Sequence, residues 1–274
     1  MSKAKLKMTL LAVAIPMLML TACEGRDVAN VDLIDSDVER GFDGKPDLNG
    51  IWQTFNTANW NIQDHAASMG PIVELGAAFS VPGGQGVVVG NAIPYQEWAL
   101  ERRNENGRNW VTRDPAVKCY MPGVPRAMYL PHPFQIVQTP SHILIAYEFA
   151  DASRTIYMDS DLESPFDTWM GHSVGRWDGD TLVVNVTDFN GETWFDRAGN
   201  FHSAALHVEE RYTPRGVNHI DYQATITDPE VFTEPWVIQM PLYKRVEENL
   251  QLVEYKCVEF TEELIWGHLR KETE

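Results

Sequence analysis

The sequence predicts a mainly β protein: an antiparallel meander closing into a barrel or half-barrel, with an irregular, partly helical insertion and a short C-terminal helix. Three observations carry that prediction. From Phe134 onward, short runs rich in β-branched and aromatic residues alternate with turn residues, the pattern of strands that pair with their sequence neighbours. Two of these runs, at 172–187 and 205–227, read as hairpins. Helical periodicity is confined to two places, near 94–103 and 261–270, and no sequence repeat is present.

In chain order, Met1–Lys7 is a basic start and Met8–Leu20 an apolar run. The run is short and interrupted by Pro16, so it reads as an export signal and not as a membrane span. It ends in Leu20-Thr21-Ala22-Cys23, which resembles the lipobox of bacterial lipoproteins. The resemblance implies cleavage before Cys23 and a lipid on its sulfur. The expected partner is therefore a lipid bilayer held through acylated Cys23, at the cell envelope and facing the periplasm in a Gram-negative organism. Loss of residues 1–22, with Lys3, Lys5 and Lys7, leaves 252 of the 274 residues and takes the net charge from −17 to −20. Such acidity repels phosphate, which argues against nucleic acid or anionic lipid as a recognised partner.

Residues 24–46 are acidic, with few and unpatterned apolar residues, and read as a tether. A single β-rich domain follows over 47–274. Gly50-Ile51-Trp52 is similar to the signature at the first strand of lipocalin-like (calycin) barrels, and this resemblance implies a calycin-like barrel. Residues 54–118 are then an insertion. Its Gly-rich stretch Ser80–Gly90 lacks the Lys-Ser/Thr ending of a phosphate loop and reads as turn chemistry. Pro94–Arg103 reads as a helix with proline in its first turn. Trp60, Trp98 and Trp110 lie in the insertion, where they are expected to cap the barrel mouth; His65, Arg126 and His132, in loop-like sequence, are expected to reach the same mouth.

Further strands are expected at 142–149, 154–158, 235–240 and 250–255, and a last helix from Thr261, read as its cap. In the first hairpin, a two-residue loop at Asp178-Gly179 sets Arg176 against Thr181 and Val174 against Val183. His172, Val174, Arg176, Val183 and Asn185 then share one face, while Ser173, Trp177, Leu182, Val184 and Val186 form the face better suited to a core. In the second hairpin, a three-residue loop at Pro214–Gly216 sets Arg211 against His219 and Glu209 against Asp221. One face carries His207, Glu209, Arg211, His219 and Asp221; the other carries Val208, Glu210, Ile220, Tyr222 and Ala224.

The polar face of the first hairpin, mixed with valines, suits a small-molecule cavity. Acid–base chemistry would use His172 or His207 as the proton carrier and Arg176 or Arg126 to hold developing negative charge. Trp60, His65, His132, Val174, Val183, Asn185, His202, Glu209 and Arg211 are the candidate ligand contacts. His202, His207 and Glu209 could recruit a metal, but no helical His-Glu-x-x-His and no cysteine cluster supports one, so no metal and no cofactor is expected. Ser173 and Ser203 each follow a histidine, yet neighbouring strand residues point to opposite faces, and no Gly-x-Ser-x-Gly elbow is present. Cys119 and Cys257 form an even pair in an oxidising compartment and are expected to be bridged, tying the middle of the chain to its last strand.

Trp169–Val184, Phe189-Asn190, Asn200–Ser203 and Leu206–Tyr212 together resemble a family of exported bacterial proteins, as do Asp114-Pro115, Cys119, Pro122–Arg126 and Asp228-Pro229. The resemblance implies an envelope location and no particular reaction. The leading expectation is a lipid-anchored barrel binding a small, largely apolar molecule in its cavity. A hydrolase-, lyase- or isomerase-type enzyme in the same cavity, and an envelope scaffold without ligand, are the alternatives.

Overall fold

The computed structural model describes residues 38–70, 72, 76, 80–255, 257–259, 261–266 and 268. The export signal and Cys23 lie outside the described residues. Nine strands form one closed barrel in sequence order: β1 (Gly50–Gln53), β2 (Phe134–Gln138), β3 (His142–Tyr147), β4 (Ser153–Met158), β5 (His172–Asp178), β6 (Thr181–Thr187), β7 (His207–Pro214), β8 (His219–Thr227) and β9 (Trp236–Lys244). The barrel closes through Trp52↔Lys244 and Gln53↔Tyr243. With β1 pairing both β2 and β9, no edge is left for a tenth strand, and residues 250–255, expected as a strand, have no regular structure.

The wall is an antiparallel meander with one exception. β4 and β5 are parallel and register over three pairs only, Ile156↔Ser173, Tyr157↔Val174 and Met158↔Gly175. A parallel pair requires a crossover, and residues 159–171 supply it.

Both hairpins are present, each with a shifted register. In the first, Arg176 pairs with Val183 and Asp178 with Thr181, so the turn residues are Gly179-Asp180 and not Asp178-Gly179. Gly179 takes φ +61° at the first turn position, which leaves Asp178 in the strand. In the second, Arg211 pairs with Gln223 and Thr213 with Asp221, because Pro214 continues the strand and the chain turns between Arg215 and His219. Each register moves by an even number of residues, so every side chain keeps its predicted face.

Three helices lie outside the wall: α1 (Glu97–Arg108), α2 (Trp110–Arg113) and α3 (Thr261–Trp266). α1 starts later than expected because residues 94–96 are tied to the 231–233 segment. Gln96 N donates to Val231 O and Thr233 N to Pro94 O, at 2.9 and 2.8 Å. α1 also runs past Arg103 to Arg108, with Glu97 in its first turn and Arg108 in its last, each complementing the helix dipole. Thr261 does not act as an accepting cap: its hydroxyl donates to Val258 O at 2.6 Å. Residues 38–46, the described end of the stretch expected as a tether, are docked by Arg40, whose guanidinium meets Asp180 at 2.7 and 2.9 Å.

The barrel interior is filled by the protein's own side chains. Ile156, Val184, Val208, Tyr212, Tyr222, Ala224, Ile226 and Ile238 are fully buried, so no void that admits even a water-sized sphere adjoins them. At the centre sits an ion pair. Arg154 donates to Glu210 from both terminal nitrogens, at 2.7 and 3.0 Å, and Tyr212 and Tyr222 donate to the same carboxylate at 2.9 and 2.7 Å. The pair is closed from solvent, with side-chain exposures of 2 % and 0 %. Burial pushes the Tyr212 and Tyr222 hydroxyls well above the usual phenol range, and that of Tyr147 up to about 12. The segment before β2 reaches the same place: the Met128 sulfur accepts from Tyr147 at 3.4 Å and lies 3.7 Å from the Tyr212 hydroxyl. A cavity inside the barrel, the expected seat of a ligand, is thereby occupied.

Candidate functional site

A concavity lies outside the wall, where the insertion meets the loop after Phe195. About 570 Å³ is bordered by Trp60-Asn61, His65-Ala66, Ser68–Gly70, Val81, the Arg103, Asn104, Gly107 and Arg108 face of α1, Trp110 and Arg197-Ala198. Local close approaches build it. Gly83 and Gly86 lie so near the 63–67 backbone that a Cβ on either would come within 2.8 and 2.6 Å of it. The Gly-rich stretch read as turn chemistry is thus also a packing surface. On the other side, a side chain at Gly107 would strike the Ala198 carbonyl, so glycine lets α1 rest against the 196–200 loop.

Asp196 locks that loop. It is fully buried, and its carboxylate accepts from Ile62 N at 2.9 Å and from Asn200 N at 3.1 Å. Burial raises its pKa, against the lowering effect of these hydrogen bonds. The lock presents Arg197 to two indoles. The guanidinium carbon lies 4.6 Å from the Trp60 ring centre and 4.5 Å from that of Trp110, and the rings meet edge to face at 5.8 Å. Each such contact contributes about 0.5–2 kcal/mol. Arg103 and Arg108 come from the same wall. Arg103 donates to the amide oxygens of Asn200 and Asn104, at 3.3 and 3.2 Å. Among the described residues lining the cleft, three are arginines, one is His65 and none is acidic. In a chain of net charge −17, that is a local reversal of sign.

Of the expected ligand contacts, Trp60 and His65 are in this cleft and the others are not. His172 and Arg176 lie on the outer face of β5, alternating with the buried Ser173 and Gly175, so the cavity-lining role expected for them does not hold. The His172 ring stacks on Tyr157 at 5.4 Å, and its Nε2 donates to Leu162 O at 2.7 Å. It borders a second, shallower depression of about 360 Å³ over the β4–β5 junction, together with Trp169 and Tyr157. Val174, Val183, Asn185, His207, Glu209 and Arg211 share that outer wall. Val183 is fully buried all the same, set by the register between Arg176 and Arg211. His207 Nε2 donates to Asn185 Oδ1 at 3.1 Å, and Arg211 pairs with Asp178 at 2.9 Å.

Arg126, expected to hold a substrate's charge, is buried with Asp114 at 2 % and 0 % side-chain exposure. It makes two 2.7 Å bonds to that carboxylate and two more to Asn59 Oδ1. Its donors are spent on structure. His132 lies 3.3 Å from Glu148 and packs on Tyr255 and Phe149. His202 is buried between Thr193 and the Ser203 carbonyl, and burial lowers its pKa. Ser203 donates to Asp228 at 2.9 Å, turned away from that ring. Among the described residues no group of three or more His, Cys, Asp or Glu is arranged to hold a metal. Cys119 and Cys257 are bridged, with Cα atoms 5.6 Å apart. The bridge ties the insertion to the segment after β9, not to a strand.

Arg103, Arg108 and Arg197 escape sequence reasoning, because an arginine on a helix or loop carries no local sign of what it will face. No protein-family model matches the chain, and no curated protein is similar to it.

Proposed function

We propose that this protein binds a small anion with an apolar, ring-sized body in the cleft between Trp60, Arg103 and Arg197. It does so at the cell envelope, held to a bilayer through the lipobox-like Leu20-Thr21-Ala22-Cys23. The observation that carries the proposal is a lining that, among the described residues, holds three arginines and no acid and also offers Trp60, Met69 and Val81. Ligand sites combine this kind of apolar wall with a few fixed polar groups, and a volume near 570 Å³ falls in their range. An enzymatic reading has less support, since His172 and His207 lie on the outer wall away from the cleft and Arg126 is committed to Asp114.

Tryptophan-fluorescence titration of the wild type with 2-naphthoate and with the neutral 2-naphthalenemethanol tests it. The carboxylate is expected to bind at least about tenfold tighter, the value of one charge-assisted hydrogen bond. Arg103→Gln and Arg197→Gln should each remove about that factor. Equal affinity for the two compounds, or unchanged affinity in both variants, rules the proposal out.

A further inference from the structure

His65 enters the cleft in a defined protonation geometry. Its Nδ1 lies 2.9 Å from the Gln63 carbonyl oxygen, which can only accept a hydrogen bond. The ring proton therefore sits on Nδ1, and Nε2 presents a lone pair. That Nε2 is closed from water and has no hydrogen-bond partner among the described residues. A buried acceptor left unpaired costs about 1–3 kcal/mol, and such an orphan calls for a reason. The Nδ1 bond to Gln63 orients the ring, and the His65 backbone is pinned to Gly84 in both directions, at 3.0 and 2.9 Å.

Two of the cleft's other side-chain acceptors are already engaged. Asn61 Oδ1 receives Gln63 N at 3.0 Å, and Asn104 Oδ1 receives Arg103 at 3.2 Å. Among the described lining residues donors outnumber unused acceptors, and Nε2 of His65 is an unused nitrogen acceptor. The adjoining residues Ala66, Ala67, Ser68 and Met69 are all exposed, and Ser68 is bridged to Val81. Displacing side chains there costs little buried apolar area.

We infer that the ligand carries a hydrogen-bond donor beside its acidic group, an aromatic hydroxy acid being the simplest class, and that His65 Nε2 receives that donor. The inference rests on the anion-binding reading of the same cleft. The arginines take the acid, and His65 selects the hydroxylated molecule over its parent. A ligand with the acid alone would leave the lone pair as it is in the empty cleft.

The test compares 2-naphthoate, its 6-hydroxy and 7-hydroxy derivatives and the matching methoxy ethers, all on the wild-type chain. At least one hydroxy acid should bind about three- to tenfold tighter than 2-naphthoate, the worth of one neutral hydrogen bond. The matching ether, which keeps the oxygen and loses the donor, should fall back to the parent's affinity. His65→Phe keeps the ring shape and should abolish the preference, so that each hydroxy acid and its methoxy ether bind alike. If parent, hydroxy acids and ethers bind alike, the His65 inference fails and the anion site stands. If none of the carboxylates binds, the cleft reading fails and the inference with it. The ligand-side comparison needs no variant to fold.

Discussion

Replacing Glu210 by Gln tests whether the barrel interior is closed core. The substitution leaves volume almost unchanged and removes one charge. It strands the Arg154 guanidinium, 2 % exposed, without its counter-charge. One glutamine oxygen can still receive Tyr212 and Tyr222, but its NH₂ then faces the Arg154 nitrogen that now donates at 2.7 Å. Breaking a buried pair from one side costs about 3–5 kcal/mol, which in urea lowers the unfolding midpoint by about 1–2 M at the slopes usual for a domain this size. Removing the second charge should restore much of it. The Arg154→Met, Glu210→Gln double variant is expected to be more stable than Glu210→Gln alone, because no unpaired charge remains buried. Urea titrations followed by far-ultraviolet circular dichroism measure both. A single-variant cost below about 1 kcal/mol, or a double-variant cost equal to the sum of the singles, would mean that water reaches the pair and that the interior is open.

Arg126→Met should likewise cost about 3–5 kcal/mol, since it leaves Asp114 charged and fully buried, whereas the exposed Arg176→Ala should change stability by less than about 0.5 kcal/mol; the reverse order in thermal melts would undo the structural role given to Arg126. His202 titrates in the folded state below its usual value because of burial, so the unfolded chain binds the extra proton first. Its contribution is complete above about pH 6.5 and declines as pH falls below that, and His202→Gln should flatten the decline between about pH 6.5 and 5; parallel stability curves would contradict this. The Cys119–Cys257 bridge closes a span of 138 residues, for which loop-closure entropy alone gives about 4–5 kcal/mol. Replacing both cysteines by serine should cost clearly less, because much of the segment after β9 is exposed and can detach while the barrel stays folded. Limited proteolysis should then cut beyond Lys244 first, and a loss of the whole 4–5 kcal/mol in barrel stability would refute that.

The barrel was legible because alternation survives a misplaced turn. Both hairpins slipped by an even number of residues, so Val208, Tyr222 and Val184 still pointed inward. Glu210 stood out as a lone carboxylate on an apolar face, which already demands a buried partner. Arg154, that partner, lies 56 positions away in a short strand, and only barrel closure brings the two together. The outward set of His172 and Arg176 follows from the same alternation, because Ser173 and Gly175 take the inner positions. A mixed row of histidine, arginine and valine resembled a cavity lining, but the inner face was already full. The cleft was the least legible feature. Trp60 and His65 carried a hint through their residue type, while Arg103, Arg108 and Arg197 meet them only because Gly107 and the Asp196 lock draw α1 and a distant loop together.

The location of the ligand is the central claim, and a heavy-atom marker reads it directly. Crystals of the protein soaked with 6-bromo-2-naphthoate should show an anomalous bromine peak in the cleft bordered by Trp60, Met69 and Arg197. A peak inside the barrel, beside Arg154 and Tyr222, would contradict the account.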